Sequence, residues 1–183
     1  SPEGASWAAP APLASDVPLD AWRNDAPTTP WWRSGAPSRA ISTADLDGDG
    51  HLDLVLAGGL ASGGNAVLMG SESGHRIVPD HPLASIKNAT LFCFGDIDHD
   101  GSVDAFIGRD GPDMLWLRDE DGGWRDATEE AGVSGGDQLT VDGLMIDADH
   151  DGDLDLAAIV HDGPDRLWNN DSDGAFRDIA PES

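Results

Sequence analysis

Three nine-residue stretches constrain this chain more than anything else in it. They are Asp45-Leu46-Asp47-Gly48-Asp49-Gly50-His51-Leu52-Asp53, Asp96-Ile97-Asp98-His99-Asp100-Gly101-Ser102-Val103-Asp104 and Asp147-Ala148-Asp149-His150-Asp151-Gly152-Asp153-Leu154-Asp155. Each reads D-x-D-x-D-G-x-x-D, and the first aspartates lie 51 residues apart in both intervals. A fixed period of that size marks a repeat architecture. Four carboxylates within nine residues repel one another, raise each other's pKa values and push the loop open unless a cation joins them.

Calcium suits such a loop, because it is a hard cation that takes roughly six to eight oxygen ligands. The candidate carboxylates are Asp45, Asp47, Asp49 and Asp53 in the first loop, Asp96, Asp98, Asp100 and Asp104 in the second, and Asp147, Asp149, Asp151 and Asp155 in the third. Glycine at position six tolerates the positive φ of a sharp turn. Position seven would offer its backbone carbonyl, which leaves its side chain free to vary: His51, Ser102 and Asp153. Three Ca2+ sites are therefore expected. Magnesium demands stricter octahedral geometry and keeps its water, and zinc prefers nitrogen and sulfur. The alternative is an acidic, solvated turn without metal. The imidazoles of His51, His99 and His150 sit where calcium would not take them, and a transition-metal role is the competing reading. His75, His81 and His161 show no paired spacing.

The loop is not an EF-hand. That motif needs a glutamate at position twelve, where this chain has Leu56, Ile107 and Ala158. The runs after position nine, Leu54-Val55-Leu56-Ala57, Ala105-Phe106-Ile107-Gly108 and Leu156-Ala157-Ala158-Ile159-Val160, read as short strands buried on both faces. The loop thus joins two strands.

With these residues the chain resembles the FG-GAP/VCBS repeat family, the integrin-α-like β-propeller blades. A second family hallmark, a hairpin similar to L-W-x-N-x-x-x-G-x-F-x-D, is present as Leu115-Trp116-Leu117-Arg118 with Gly123-Trp124-Arg125-Asp126. It recurs as Leu167-Trp168-Asn169-Asn170 with Gly174-Ala175-Phe176-Arg177-Asp178. The resemblance covers roughly residues 38–180. It implies an all-β fold of propeller-like blades with four antiparallel strands each, three full repeats plus a partial N-terminal blade, and calcium in the loop between the first two strands.

Read in order, residues 1–18 are an Ala- and Pro-rich extended arm or linker. Trp7 in it is an anchor for a partner or an exposed aromatic. Residues 19–37 read as the outer half of an incomplete blade, because Leu19-Asp20-Ala21-Trp22-Arg23-Asn24-Asp25 resembles Asp165-Arg166-Leu167-Trp168-Asn169-Asn170-Asp171. Blade repeats follow at 38–87, 88–138 and 139–183. The first lacks the Trp and Phe-x-Asp signature in its outer hairpin, Asn65–Met69 with His75–Val78. Asp110-Gly111-Pro112-Asp113 and Asp162-Gly163-Pro164-Asp165 are matching turns. Trp116 and Trp168 hold the same place in their blades and are expected to pack between blades.

The 183 residues carry a formal charge of −25, and twelve of the 35 acidic residues are motif aspartates. Three doubly charged ions would bring −25 to −19. Nucleic acid and anionic membrane are poor partners for such a surface. No stretch is apolar enough to span a bilayer, so no membrane insertion is expected. The lone Cys93 lies in an apolar run and reads as a core residue. Calcium is near millimolar outside the cytoplasm, and low-affinity loops fill there. Together with an N-terminal stretch like that left after export, this points to an extracellular, cell-surface or periplasmic protein.

A closed propeller takes about four to eight blades, and three leave two apolar faces to cover. Three solutions are open: the chain is a piece of a larger propeller, other protein subunits or copies of the same chain complete the array, or the N-terminal arm covers one face. Completion by other chains or further sequence is expected. The function expected is a calcium-stabilised, non-enzymatic binding or structural module in protein–protein assembly or adhesion. No Ser/His/Asp order, Gly-x-Ser-x-Gly or paired acid–base stands out, which weighs against a propeller-scaffold hydrolase or lyase. The other alternative is a carbohydrate-binding module that stacks sugars on Trp22, Trp31 and Trp32.

Overall fold

The computed structural model describes residues 40–59, 63–134, 136–171 and 175–180. The readings for residues 1–18 and 19–37, with Trp7, Trp22, Trp31 and Trp32, lie outside the described residues.

The described chain is all-β: three four-stranded antiparallel sheets in an open array that does not close into a ring. The first sheet is β1 (Ile41–Ala44), β2 (Asp53–Leu56), β3 (Ala66–Met69) and β4 (Arg76–Ile77). A 3-10 turn at Pro82–Ser85 leads to β5 (Ala89–Gly95), β6 (Asp104–Arg109), β7 (Met114–Arg118) and β8 (Trp124–Asp126). A one-turn helix, α1 (Thr128–Ala131), precedes β9 (Leu139–Ile146), β10 (Asp155–His161), β11 (Arg166–Asn170) and β12 (Phe176–Asp178). In each sheet the strands pair in chain order. The pairs Ala44↔Asp53, Gly95↔Asp104 and Ile146↔Asp155 close the first hairpin of each sheet. Position nine of every acidic stretch is thus the first residue of a second strand.

Two cores lie between the sheets. Val55, Ala57 and Val67 of the first sheet meet Phe92, Ala105 and Ile107 of the second, with Leu46, Leu83 and Ile86 closing the edge. Leu91, Phe106, Leu115 and Leu117 on the opposite face of the second sheet meet Leu156, Ala158, Trp168 and Phe176 of the third. Alternation along each strand explains this, since neighbouring residues point to opposite faces. Bonds between sheets run along the innermost strands. Ser42 Oγ donates to the Phe92 carbonyl at 2.6 Å, and Thr90 Oγ1 to the Thr140 carbonyl at 2.6 Å. Thr90 in β5 and Val141 in β9 are each an extra residue in the ladder, a bulge that β1 lacks.

The expectation that all three second strands are buried on both faces holds for β6, whose residues Asp104–Gly108 are buried, and needs correcting for β2, where Leu54 and Leu56 are half-buried, and for β10. Ile159 is exposed, as are Val141, Leu144 and Ile146 of β9 on the third sheet. The reason is position: β6 lies between two sheets, whereas no described residue packs over the outer face of the third. At the other end Ile41 and Leu52 are 68% and 62% exposed. Trp168 packs between blades as expected, its ring centroid 5.9 Å from that of Phe106. Trp116 packs against the first core.

Candidate metal centres

The three acidic loops share one geometry. Position six has positive φ in each, at 87° for Gly50, 86° for Gly101 and 103° for Gly152. Position four is also left-handed, at 78° for Gly48, 60° for His99 and 68° for His150. Two left-handed turns within three residues fold each loop back on itself. Position five holds this fold, because its Oδ1 accepts the position-seven N–H: Asp49 from His51 at 2.8 Å, Asp100 from Ser102 at 2.7 Å and Asp151 from Asp153 at 3.0 Å. Position three accepts the position-five N–H at 3.2, 3.3 and 3.2 Å in turn.

Positions one, three and nine converge. Asp45, Asp47 and Asp53 place one oxygen each within 4.8 Å of one another, as do Asp96, Asp98 and Asp104, and Asp147, Asp149 and Asp155. The position-five carboxylates of Asp49, Asp100 and Asp151 stand outside these triads, each with Oδ1 engaged by a main-chain N–H. Position seven follows directly, with His51 half-buried and Ser102 and Asp153 buried.

Position nine is the buried member, and it does more than complete a ligand set. Asp53 Oδ2 accepts the Leu46 N–H at 2.7 Å and Oδ1 the Gly70 N–H at 2.6 Å. Asp104 does the same with Ile97 and Arg118, at 2.8 Å each. Asp155 repeats it with Ala148 at 2.8 Å and Asn170 at 2.9 Å. Each of these carboxylates ties its loop to the end of the third strand. Burial pushes the Asp104 carboxyl up to about 6, and the charges of Asp98 and Asp100 add to it. The His51 N–H holds Asp49 below the usual carboxylate range. For Asp151 the Asp153 N–H acts in the same sense, but desolvation and the Asp149 and Asp153 charges outweigh it and leave the group raised.

The clusters differ in how far the protein satisfies them. Both oxygens of Asp45 accept main-chain N–H groups, from Gly48, Asp49 and Gly50. In the other two loops the position-one oxygens Asp96 Oδ1 and Asp147 Oδ1 are buried with no donor. A buried carboxylate oxygen without a partner is costly, and a divalent cation at the triad supplies what is missing. The residues therefore fit a calcium ion.

Sequence reasoning missed two supports. The residue before each third strand braces the second: Asn65 Oδ1 accepts the Gly58 N–H at 2.8 Å, Asp113 Oδ1 that of Arg109 at 2.9 Å and Asp165 Oδ1 that of Val160 at 3.0 Å. The matched D-G-P-D turns were the available signal. Asn169 and Asn170 at the end of β11 reach the loops: Asn169 Nδ2 donates to Asp149 Oδ2 at 3.0 Å, and Asn170 Nδ2 to the Ile97 carbonyl at 3.2 Å.

A family model described as FG-GAP-like repeat matches residues 45–107 and 96–158, so each match runs from one acidic loop through the next. No curated protein matches the chain.

Proposed function

This chain belongs to the FG-GAP-like repeat family, and on that premise we propose that it is a calcium-stabilised, non-enzymatic binding or structural module of an exported protein, working in protein–protein assembly or adhesion. The observation that carries the metal reading is the pair of buried, donorless oxygens, Asp96 Oδ1 and Asp147 Oδ1, at the same place in two successive blades. Asp49, Asp100 and Asp151 hold the loop closed, and Asp53, Asp104 and Asp155 anchor it to the third strand. A calcium ion, when bound, supplies positive charge that relieves the repulsion among the converging carboxylates. The loop then sets the spacing of the first hairpin, on which the next sheet packs.

The aliphatic outer face of the third sheet and the exposed Ile41 and Leu52 of the first support partners at both ends, either other subunits or further copies. No helix among the described residues is long and apolar enough to cross a membrane.

Thermal unfolding with calcium and with a chelator tests the metal reading. Each filled site adds RT ln(1 + [L]/Kd), about 2.7 kcal/mol at a hundredfold excess over Kd. The midpoint is expected to fall when calcium is removed. A midpoint that does not move overturns the assignment.

A further inference from the structure

The second and third loops are wired to each other in a way that the first and second are not. His99, at position four of the second loop, sends its ring across to the third: Nε2 lies 2.8 Å from Asp153 Oδ1, and Asp153 is position seven there. The neutral ring with its proton on Nε2 donates this bond, so no charge on the imidazole is needed. The left-handed φ of His99 aims the side chain outward from between Asp98 and Asp100, both candidate ligands.

A second, buried path runs in parallel. Asp155 Oδ1 accepts the Asn170 N–H at 2.9 Å, Asn170 Nδ2 donates to the Ile97 carbonyl at 3.2 Å, and the Ile97 N–H donates to Asp104 Oδ2 at 2.8 Å. Asp155, Asn170, Ile97 and Asp104 are all buried. The anchoring carboxylate of one loop is thereby linked through one asparagine to that of the other. Asn170 Nδ2 also lies 3.4 Å from the Leu154 carbonyl, so its amide faces two acceptors and has one orientation. Among the described residues no such bridge joins the first loop to the second. Position four there is Gly48, which has no side chain to send, and Arg118 occupies the end of the third strand where Asn170 does in the next blade.

We propose that the second and third metal loops fill as one coupled pair through His99 and Asn170, while the first loop fills independently. This rests on the calcium reading above. Closing the third loop fixes Asp153, which holds His99, and Asp155, which holds Asn170 and through it Ile97, and so places Asp98, Asp100 and Asp104 before the second loop takes its ion. His99 and Asn170 are positioning residues; neither is assigned a bond to metal. Coupling of this kind is reciprocal, with a typical size of about 5-fold to 150-fold in affinity.

Calcium titration of the full chain, followed by the amide NMR signals of Gly50, Gly101 and Gly152, reads each loop separately. In the unmodified chain Gly101 and Gly152 are expected to move together and steeply, and Gly50 along its own curve. Asp149→Ala disables the third loop and is expected to weaken calcium at Gly101 by about 5-fold or more. Asp47→Ala removes the same charge from the other neighbour and should leave Gly101 unchanged. If Asp149→Ala does not fold, Asp149→Asn, which removes the same triad charge at nearly the same size, takes its place. With His99→Gly present, the effect of disabling the third loop should shrink. A Gly101 curve indifferent to Asp149→Ala, or equally sensitive to Asp47→Ala, overturns the coupling and leaves calcium binding intact. No movement of any signal at millimolar calcium overturns both.

Discussion

Asp113 and Asp104 show how single carboxyls are used in this protein. Each is buried, each accepts two hydrogen bonds, and burial pushes each up to about 6. Asp104 has a cation to expect. Asp113 does not: it bridges the second and third sheets, taking the Arg109 N–H at 2.9 Å and Thr140 Oγ1–H at 2.8 Å. An aspartate raised in the folded state stabilises the fold fully below its unfolded pKa near 3.8 and loses that contribution as pH rises through about 6. Asp113→Asn, which copies Asn65 of the first blade, keeps an acceptor for Arg109 and has nothing to titrate. Measured in saturating calcium, the stability of Asp113→Asn relative to the parent should rise between about pH 4 and pH 7; a difference flat with pH would contradict this. That the aspartates at positions one, three and nine come together was legible in their spacing; that position five stands apart, with Oδ1 on the position-seven N–H, was not. The bracing role of position nine was not, since the N–H it binds in Arg118 is fourteen residues away and arrives only through sheet pairing. The left-handed turn at position four was signalled by Gly48 alone, because His99 and His150 occupy it in the other two loops.

At the scale of elements, the sheets hold together through strands that stack rather than through long pairings. Phe106 in β6 is fully buried and meets Trp168 across the second core. Phe106→Ala should cost about 3–5 kcal/mol, since large-to-small changes at such sites lose both transfer energy and cavity contacts. Chemical denaturation would measure it, and a loss under about 1 kcal/mol would mean that the second and third sheets do not share a core. The strands themselves were legible, because short apolar runs bounded by glycine and an acidic loop have few other folds. Which faces are covered was not. Ile107 and Ala158 look alike in the sequence and are both buried, yet Ile159 beside the latter is exposed. Coverage depends on the neighbour in the stack, and no local pattern encodes that.

At the scale of the molecule, the outer face of the third sheet is not shaped like an internal junction. Gly95 and Gly108 sit at the junction of the second and third sheets, where a Cβ on either would come within 2.7 Å of Leu154 and 2.8 Å of Leu91 respectively. Their ladder counterparts on the third sheet are Ile146 and Ile159, both exposed. The outer face of the third sheet is therefore bulkier than an internal junction. The formal charge of −25 opposes bringing acidic surfaces together, and every cation bound reduces that repulsion. Calcium stabilisation of the array requires three carboxylate clusters that each take one divalent ion. Equilibrium dialysis of the full chain against calcium tests that most directly: three ions per chain are expected, falling to two in Asp45→Ala/Asp47→Ala. Fewer than one ion per chain, or three that survive the double substitution, would contradict it.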